Sequence, residues 1–228
     1  MSEITLIEVD SAANPSVAVI WMHGLGADGS DIEPIVPELG LTDVPTVRFI
    51  FPNAPYRPVT CNGGYVMRAW YDIISLEPDS RKIDEAGLLE AREIVRQLIQ
   101  REVQRGIPSQ RIFLAGFSQG GAVAYLAALT HPDPLAGVIA LSTYIPEARL
   151  ITAELSTANR HIPLFVAHGT DDDVVSIKLG RQALALLEQC GLDPTWRTYD
   201  MPHSLCIEEV QDIAGWLKTR LLALETSC

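Results

Sequence analysis

Gly116-Phe117-Ser118-Gln119-Gly120 is a G-x-S-x-G pentapeptide whose neighbours decide how it is read. Arg111-Ile-Phe-Leu-Ala115 before it is a short apolar run that predicts a strand, and Gly121 to Thr130 after it predicts a helix. A serine at a strand-to-helix turn is held in a tight conformation with its hydroxyl exposed. Glycines two before and two after it give room where side chains would strike the neighbouring strand and helix. The N-terminus of the helix also favours negative charge developing beside that hydroxyl. A serine that merely caps the helix is the plain alternative; the strand–turn–helix context favours a nucleophile.

The same alternation continues outward in both directions. Val17-Ala-Val-Ile-Trp-Met22, Val47-Arg-Phe-Ile-Phe51, Gly137-Val-Ile-Ala-Leu141, Pro163-Leu-Phe-Val-Ala167 and Thr195-Trp-Arg-Thr-Tyr199 are short apolar or β-branched runs. Near-continuous runs of this kind suit strands buried on both faces, hence a parallel sheet covered by helices. Ile4 to Val9 alternates more and suits an edge strand, antiparallel to its neighbour. Asp84 to Arg105 opens on a capping Asp and closes at Gly106 with Pro108 beyond, which is the start and stop chemistry of a helix. Ile207, Val210, Ala214, Leu217, Leu221 and Leu224 mark a second helix over about Leu205 to Leu224. The expected architecture is a doubly wound α/β sheet, mostly parallel, with helices on both faces in three layers. Pro52 to Lys82 breaks the alternation. It holds four prolines, Gly63-Gly64 and large aromatics including Tyr65, Trp70 and Tyr71, and reads as a long loop, a length that is commonly functional.

Composition bounds what the chain can do. Its 228 residues carry 17 Lys+Arg against 29 Asp+Glu, a formal net charge of −12. That balance argues against nucleic acid and against an anionic membrane surface as electrostatic partners. The length fits one domain, 1–228, of the larger α/β kind. No apolar run reaches the ~18 residues of a membrane span, so no integral membrane segment is expected. Met1-Ser2-Glu3 opens no secretory leader. Cys61, Cys190, Cys206 and Cys228 include no C-x-x-C pair, so they read as reduced thiols in a cytoplasmic protein and not as a metal site.

A serine nucleophile needs a base. Where such an elbow carries the serine, the acid and the histidine follow it in chain order. His23 precedes Ser118, which leaves His131, His161, His168 and His203. His131 precedes Pro132 at a helix end, His161 stands at a strand entrance and His168 ends a strand. His203, in Met201-Pro-His-Ser204 between the last strand and the last helix, is the one that follows an acid at the end of a preceding strand. The acid should orient that imidazole and stabilise its charged form. Asp171, Asp172 and Asp173 all follow the penultimate strand, and spacing does not choose between them. A tetrahedral intermediate needs two N–H donors. One is expected from the backbone of Gln119, the other from the glycine-rich loop His23-Gly-Leu-Gly-Ala-Asp-Gly29. That loop also matches the G-x-G-x-x-G dinucleotide fingerprint, but the next strand ends Phe51-Pro52-Asn53 without the required carboxylate. No cofactor is expected. His203-x-x-Cys206 has no partner pair, and Cys206 reads as a packed thiol.

With these residues assembled, the chain resembles the carboxylesterase II / acyl-protein thioesterase group of α/β-hydrolases over about Val17 to Leu222. The resemblance rests on His23-Gly-Leu-Gly-Ala-Asp28, Pro52-Asn-Ala-Pro55, Trp70-Tyr71-Asp72, Gly116-Phe-Ser-Gln-Gly-Gly121, Leu141-Ser-x-Tyr144 and His168-Gly-x-x-Asp172, in that order. It implies the α/β-hydrolase fold, with Ser118, Asp172 and His203 as triad and Leu25 as the second backbone donor. It also implies an acyl-binding wall at Trp70, with Tyr71 and Met67 beside it as further pocket candidates. The implied substrate is a small carboxylic ester or an acylated thiol. Thioesterase or lysophospholipase action on long acyl chains is the alternative, and a non-catalytic ligand-binding protein on the same fold the distant one. No cofactor or metal is implied, the setting is cytoplasmic, and the state is monomer or homodimer. Arg68-Ala69, Ser176 and Pro202 depart from the group's usual residues, around the pocket and not in the triad.

Overall fold

Strands that are apolar without alternation have to be covered on both faces, and the helices of this chain do the covering. In the computed structural model, which describes residues 4–77 and 80–226, the first half runs β1 (Leu6–Asp10), β2 (Val17–Met22), α1 (Gly29–Ile32), α2 (Ile35–Glu38), β3 (Val47–Pro52), β4 (Tyr56–Val59), β5 (Tyr65–Arg68), β6 (Ile73–Glu77), β7 (Ser80–Ile83) and α3 (Glu85–Gln104). The second half runs β8 (Ile112–Phe117), α4 (Gln119–Leu129), β9 (Gly137–Leu141), α5 (Ala148–Glu154), β10 (Leu164–Gly169), α6 (Ile177–Gln189), β11 (Thr195–Tyr199) and α7 (Ile207–Thr226). Met1–Glu3, on which the absence of a leader was read, and Cys228 lie outside the described residues.

The seven-stranded sheet has the order β1-β3-β2-β8-β9-β10-β11. β1 is antiparallel to β3 at the edge, as its alternation predicts; every other neighbouring pair is parallel. Successive side chains of a strand point to opposite faces, so β2 supplies two cores. Val17, Val19 and Trp21 pack with Ile32, Ile35, Ile213, Leu217 and Leu221, on the side of α1, α2 and α7. Ala18, Ile20 and Met22 pack with Leu88, Ala91, Val95, Val123, Ala183 and Leu187, on the side of α3, α4 and α6. The result is the three-layer sandwich expected from the pattern. α4 is buried at every position. Its sequence Gln119-Gly-Gly-Ala-Val-Ala-Tyr-Leu-Ala-Ala-Leu129 therefore has no polar face to show.

Pro52 to Lys82 differs from the loop expected there. It folds into two antiparallel hairpins, β4–β5 and β6–β7. The strands are four or five residues long, too short for a period to be legible. Tyr56, Tyr65, Val66 and Leu76 are exposed apolar residues that blur any alternation. The legible signal was Gly63-Gly64, both at positive φ in the first hairpin's turn. Asp72 joins the hairpins by accepting the Thr60 N–H (2.7 Å) and hydroxyl (2.6 Å). Among the described residues no helix is long and apolar enough to cross a membrane.

The first turn of α7 holds a buried acid. Glu209 is fully enclosed. Burial pushes its carboxyl up to about 8 from the ordinary 4.5, and the Cys206 amide opposes this only in part. The folded state thus keeps a proton that the unfolded chain releases. The corresponding stability is whole below about pH 4.5 and is lost as pH rises through about 8. Glu209→Gln cannot ionise and is expected to lose less stability on alkalinisation. Urea unfolding of parent and variant at acid and alkaline pH reads this directly, and equal losses in both would remove Glu209 as the cause.

Candidate active site

Ser118 stands between β8 and α4 at φ 54°, ψ −121°. Such a conformation costs a non-glycine residue about 1–3 kcal/mol and persists only where the surroundings impose it. Here they do. The Ser118 N–H donates to Leu141 O at 2.9 Å, and its carbonyl accepts from Gly121 N (3.0 Å) and from the Thr143 hydroxyl (2.6 Å). The glycines are forced by contact. A Cβ on Gly116 would lie 2.3 Å from Gly120 O, and one on Gly120 would lie 2.3 Å from Met22 O. One on Gly121 would meet the Thr143 side chain at 2.7 Å, a requirement that the five-residue motif does not contain. The doubled Gly120-Gly121 was its only trace in the sequence.

His203 and Asp172 meet as expected. Nδ1 of His203 is 2.7 Å from Asp172 Oδ2, while Oδ1 accepts the Val174 (3.0 Å) and Val175 (2.7 Å) amides. With Nδ1–H donated to the carboxylate, Nε2 is the ring's acceptor. Burial separates the three aspartates that spacing left open: Asp171 and Asp173 are exposed, Asp172 is 7% exposed. Burial alone would raise its pKa. Hydrogen bonding to His168 and His203, with the Val175 amide, outweighs this and holds the carboxyl well below the usual carboxylate range. His168 is thus a support for the acid. Its Nε2 sits 2.7 Å from Val175 O and 3.5 Å from Asp172 Oδ2. Gly180 leaves room for its ring, which a Cβ there would approach to 2.4 Å. His131 bonds the Asp133 backbone beyond α4, and His161 is exposed.

Leu25 lies in a turn closed by Ala27 N–H to Gly24 O (3.3 Å), with Gly26 at φ 77° in the third position, where a type II turn needs glycine. A Cβ on Gly29 would come 2.7 Å from Phe51 O. The fingerprint-like spacing is therefore explained by turn geometry and packing. Among the described residues neither the Leu25 nor the Gln119 amide donates to a protein acceptor. Both residues line the same cavity as Ser118 and His203.

That cavity is about 400 Å³. Leu25, Ile32, Ile73, Leu76, Phe117 and Val175 give it a largely apolar wall, and Cys61, Tyr144 and Arg81 also reach it. Trp70, Tyr71 and Met67 do not line it, unlike the wall implied at Trp70. Trp70 and Tyr71 are fully buried behind it. The Gln119 side chain clamps them, accepting from Trp70 N (2.7 Å) and donating to Tyr71 O (2.8 Å). The Trp70 indole donates to His23 O (2.9 Å). Met67 on β5 turns its sulfur toward Asn62 (3.6 Å). The G-x-S-x-G motif points only to the backbone of Gln119, and nothing in it announces the side-chain clamp. His23 accepts the Ala54 amide at Nε2 (2.9 Å), and burial depresses its pKa, so it is a neutral strut. Burial, then Asp72, pushes the Cys61 thiol up, so it remains a thiol. The departures are structural too. Arg68 donates to Ala54 O (2.8 Å) and lies over the Tyr56 ring, and Ser176 caps α6. Among the described residues no group of three or more His, Cys, Asp or Glu could hold a metal.

A parallel sheet with a strained serine at a strand–helix elbow and a histidine–aspartate pair at the same cavity defines an α/β-hydrolase of the serine type. The chain belongs to the phospholipase/carboxylesterase family, whose profile matches residues 5–221, and it is a carboxylic ester hydrolase. It is 34% identical over 212 residues to carboxylesterase SOBER1 of Arabidopsis thaliana, covering 92% of this chain and 93% of that one. It is 39% identical over 222 residues to acyl-protein thioesterase 1 of Cryptococcus neoformans, covering 90% and 93%. The crystal structure of Arabidopsis SOBER1 superposes with a TM-score of 0.85 at 35% identity, over 90% of this chain and 99% of that one. That of Zea mays acyl-protein thioesterase 2 gives 0.82 at 27% identity, over 95% and 99%.

Gly120→Ala would drive a methyl group into the β2 backbone. It is expected to lower stability by about 1–3 kcal/mol, the usual range for overpacking, and to abolish labelling of Ser118 by a fluorophosphonate. Denaturant unfolding and mass spectrometry of the labelled protein measure the two effects.

Proposed function

We propose that Ser118 is the nucleophile, His203 the general base and Asp172 its orienting acid, with the Leu25 and Gln119 amides as the oxyanion hole. The observation that carries this reading is the 2.7 Å His203–Asp172 bond beside a cavity that Ser118 and His203 both line. The Ser118 hydroxyl adds to the acyl carbonyl as His203 Nε2 takes its proton. The ionised Asp172 stabilises the resulting imidazolium, and the two amides receive the oxyanion. His203 returns the proton to the departing alcohol or thiol. Water activated by the same imidazole then hydrolyses the acyl-serine and regenerates Ser118. An Asp172 held ionised by its hydrogen bonds in spite of burial suits this role better than it suits a passive ligand-binding protein.

The preferred substrate in this reading is a small carboxylic ester, because a cavity of about 400 Å³ with apolar walls suits a compact acyl group. An acylated thiol is the second reading, favoured by the 39% identity to an acyl-protein thioesterase. We assign residues 1–228 to one catalytic domain, monomeric or homodimeric, working in the cytoplasm; the free Cys61, Cys190 and Cys206 support a reducing setting.

Ser118→Ala is expected to reduce p-nitrophenyl ester turnover by about 10⁴-fold or more, with an unchanged unfolding midpoint. Asp172→Asn should cost about 10³–10⁴-fold in kcat, since the imidazole loses its tautomeric partner. Because Asp172 stays ionised far into acid, the acid limb of kcat/KM should show a single inflection, from the base. A second inflection near the ordinary carboxylate range of about pH 4, absent from a parallel stability titration, would contradict this assignment.

A further inference from the structure

Most arginines whose partners are visible here are matched to carboxylates: Arg48 to Asp10 and Glu102, Arg105 to Glu8 and Glu102, Arg92 to Glu154. Arg81 is different. It stands on β7, half-buried, and lines the cavity with Ser118 and His203. Its Nη1 donates to the carbonyls of Glu77 and Ser80, and its Nη2 to Val174 O at 2.7 Å. All three acceptors are neutral, and among the described residues no carboxylate pairs with it. A guanidinium has five N–H donors, so Nε–H and one Nη2–H are left over. Asp31, the carboxylate among the described lining residues, does not pair with Arg81; it caps α1 through the Asp28 amide (2.8 Å). The charge of Arg81 also reaches Cys61 and Tyr144, two further lining groups. A chain of net charge −12 thus keeps a cation with no carboxylate partner among the described residues at a reaction cavity whose walls are largely apolar, where low dielectric and shape focus its field.

We propose that Arg81 is a specificity-determining residue that selects esters bearing a second, anionic group (carboxylate or phosphate), paired to its unused N–H donors. The proposal rests on Ser118 being the nucleophile of this same cavity. The carbonyl contacts fix the guanidinium plane between the β6–β7 hairpin and the loop carrying Asp172. The fork is therefore pre-oriented, which is the condition for bidentate recognition of a planar anion. Ester cleavage itself is unchanged: the anion is held, not transformed.

The test compares kcat/KM within two substrate pairs. Mono-p-nitrophenyl glutarate against p-nitrophenyl hexanoate places the anion on the acyl side. p-Acetoxybenzoate against its methyl ester places it on the leaving-group side. The parent protein should favour the anionic member in one pair, and that pair identifies which side faces Arg81. Arg81→Gln should lower the anionic-to-neutral ratio there by about tenfold or more, the scale of a lost charge-assisted hydrogen bond. Arg81→Lys, which keeps the charge without the fork and tolerates the loss of the Val174 contact differently, should fall between. No anionic preference in either pair overturns the proposal, as does a preference that survives both variants. A uniform loss across all four esters also overturns it, for that would make Arg81 only a brace for the Asp172 loop. Ser118→Ala run on the same esters keeps the two readings apart: residual turnover there counts against the nucleophile and not against Arg81.

Discussion

Three stretches of backbone meet at the end of β8 with no room for a side chain between them. Gly116 closes on the first turn of α4, Gly120 closes on the end of β2, and Gly121 closes on Thr143 beyond β9. The contacts leave Ser118 one way through the turn, at positive φ, and its carbonyl is then held by Thr143. The proposed chemistry depends on that crossing. It aims the serine into the cavity and opens α4 with an amide, that of Gln119, that has no protein acceptor among the described residues. It also brings the Gly24–Ala27 turn at the end of β2 alongside. The strain of about 1–3 kcal/mol at one residue is sustained by a sheet buried on both faces. Neither β2 nor α4 can retreat without opening a core.

A second set of interactions orients His203, the proposed base. The carboxylate of Asp172 is buried, which taken alone would favour its neutral form. It remains charged because two backbone amides and two imidazoles converge on it. His168 takes part without touching the cavity, and Gly180 exists in the form it does because His168 needs the space. The β4–β7 hairpins add the remaining wall. They are tied to the elbow through Gln119 and to the Asp172 loop through Arg81, so the same chain segment that bounds the cavity is braced against the residues proposed for catalysis.

Much of this was legible beforehand, for physical reasons. Strands buried on both faces leave unbroken apolar runs, and those runs named β2, β3, β8, β9 and β10 almost to the residue. The antiparallel edge strand β1 was legible through its alternation. The elbow was legible because close packing admits only glycine, which is a visible letter. The hairpins were hidden because four-residue strands with exposed aromatic residues have no readable period. Trp70 was readable as important, but its place was not. An aromatic residue in a pocket loop and one clamped behind the wall look alike in sequence.

The sequence by itself determined the strands of the central sheet, the helices α3, α4 and α7, the tight turn at Ser118, the histidine that follows the last strand and the need for room around Gly116 and Gly120. These are local or periodic properties, written in residue type and spacing. Tertiary structure decided which of Asp171, Asp172 and Asp173 is enclosed and which imidazole reaches it from which side. It decided that the Gln119 side chain clamps Trp70 and Tyr71, and that Arg81 and not Trp70 lines the cavity. Those choices depend on burial and on contacts between residues 31 to 93 positions apart. Such contacts are set by how the layers pack, which no single stretch of chain encodes.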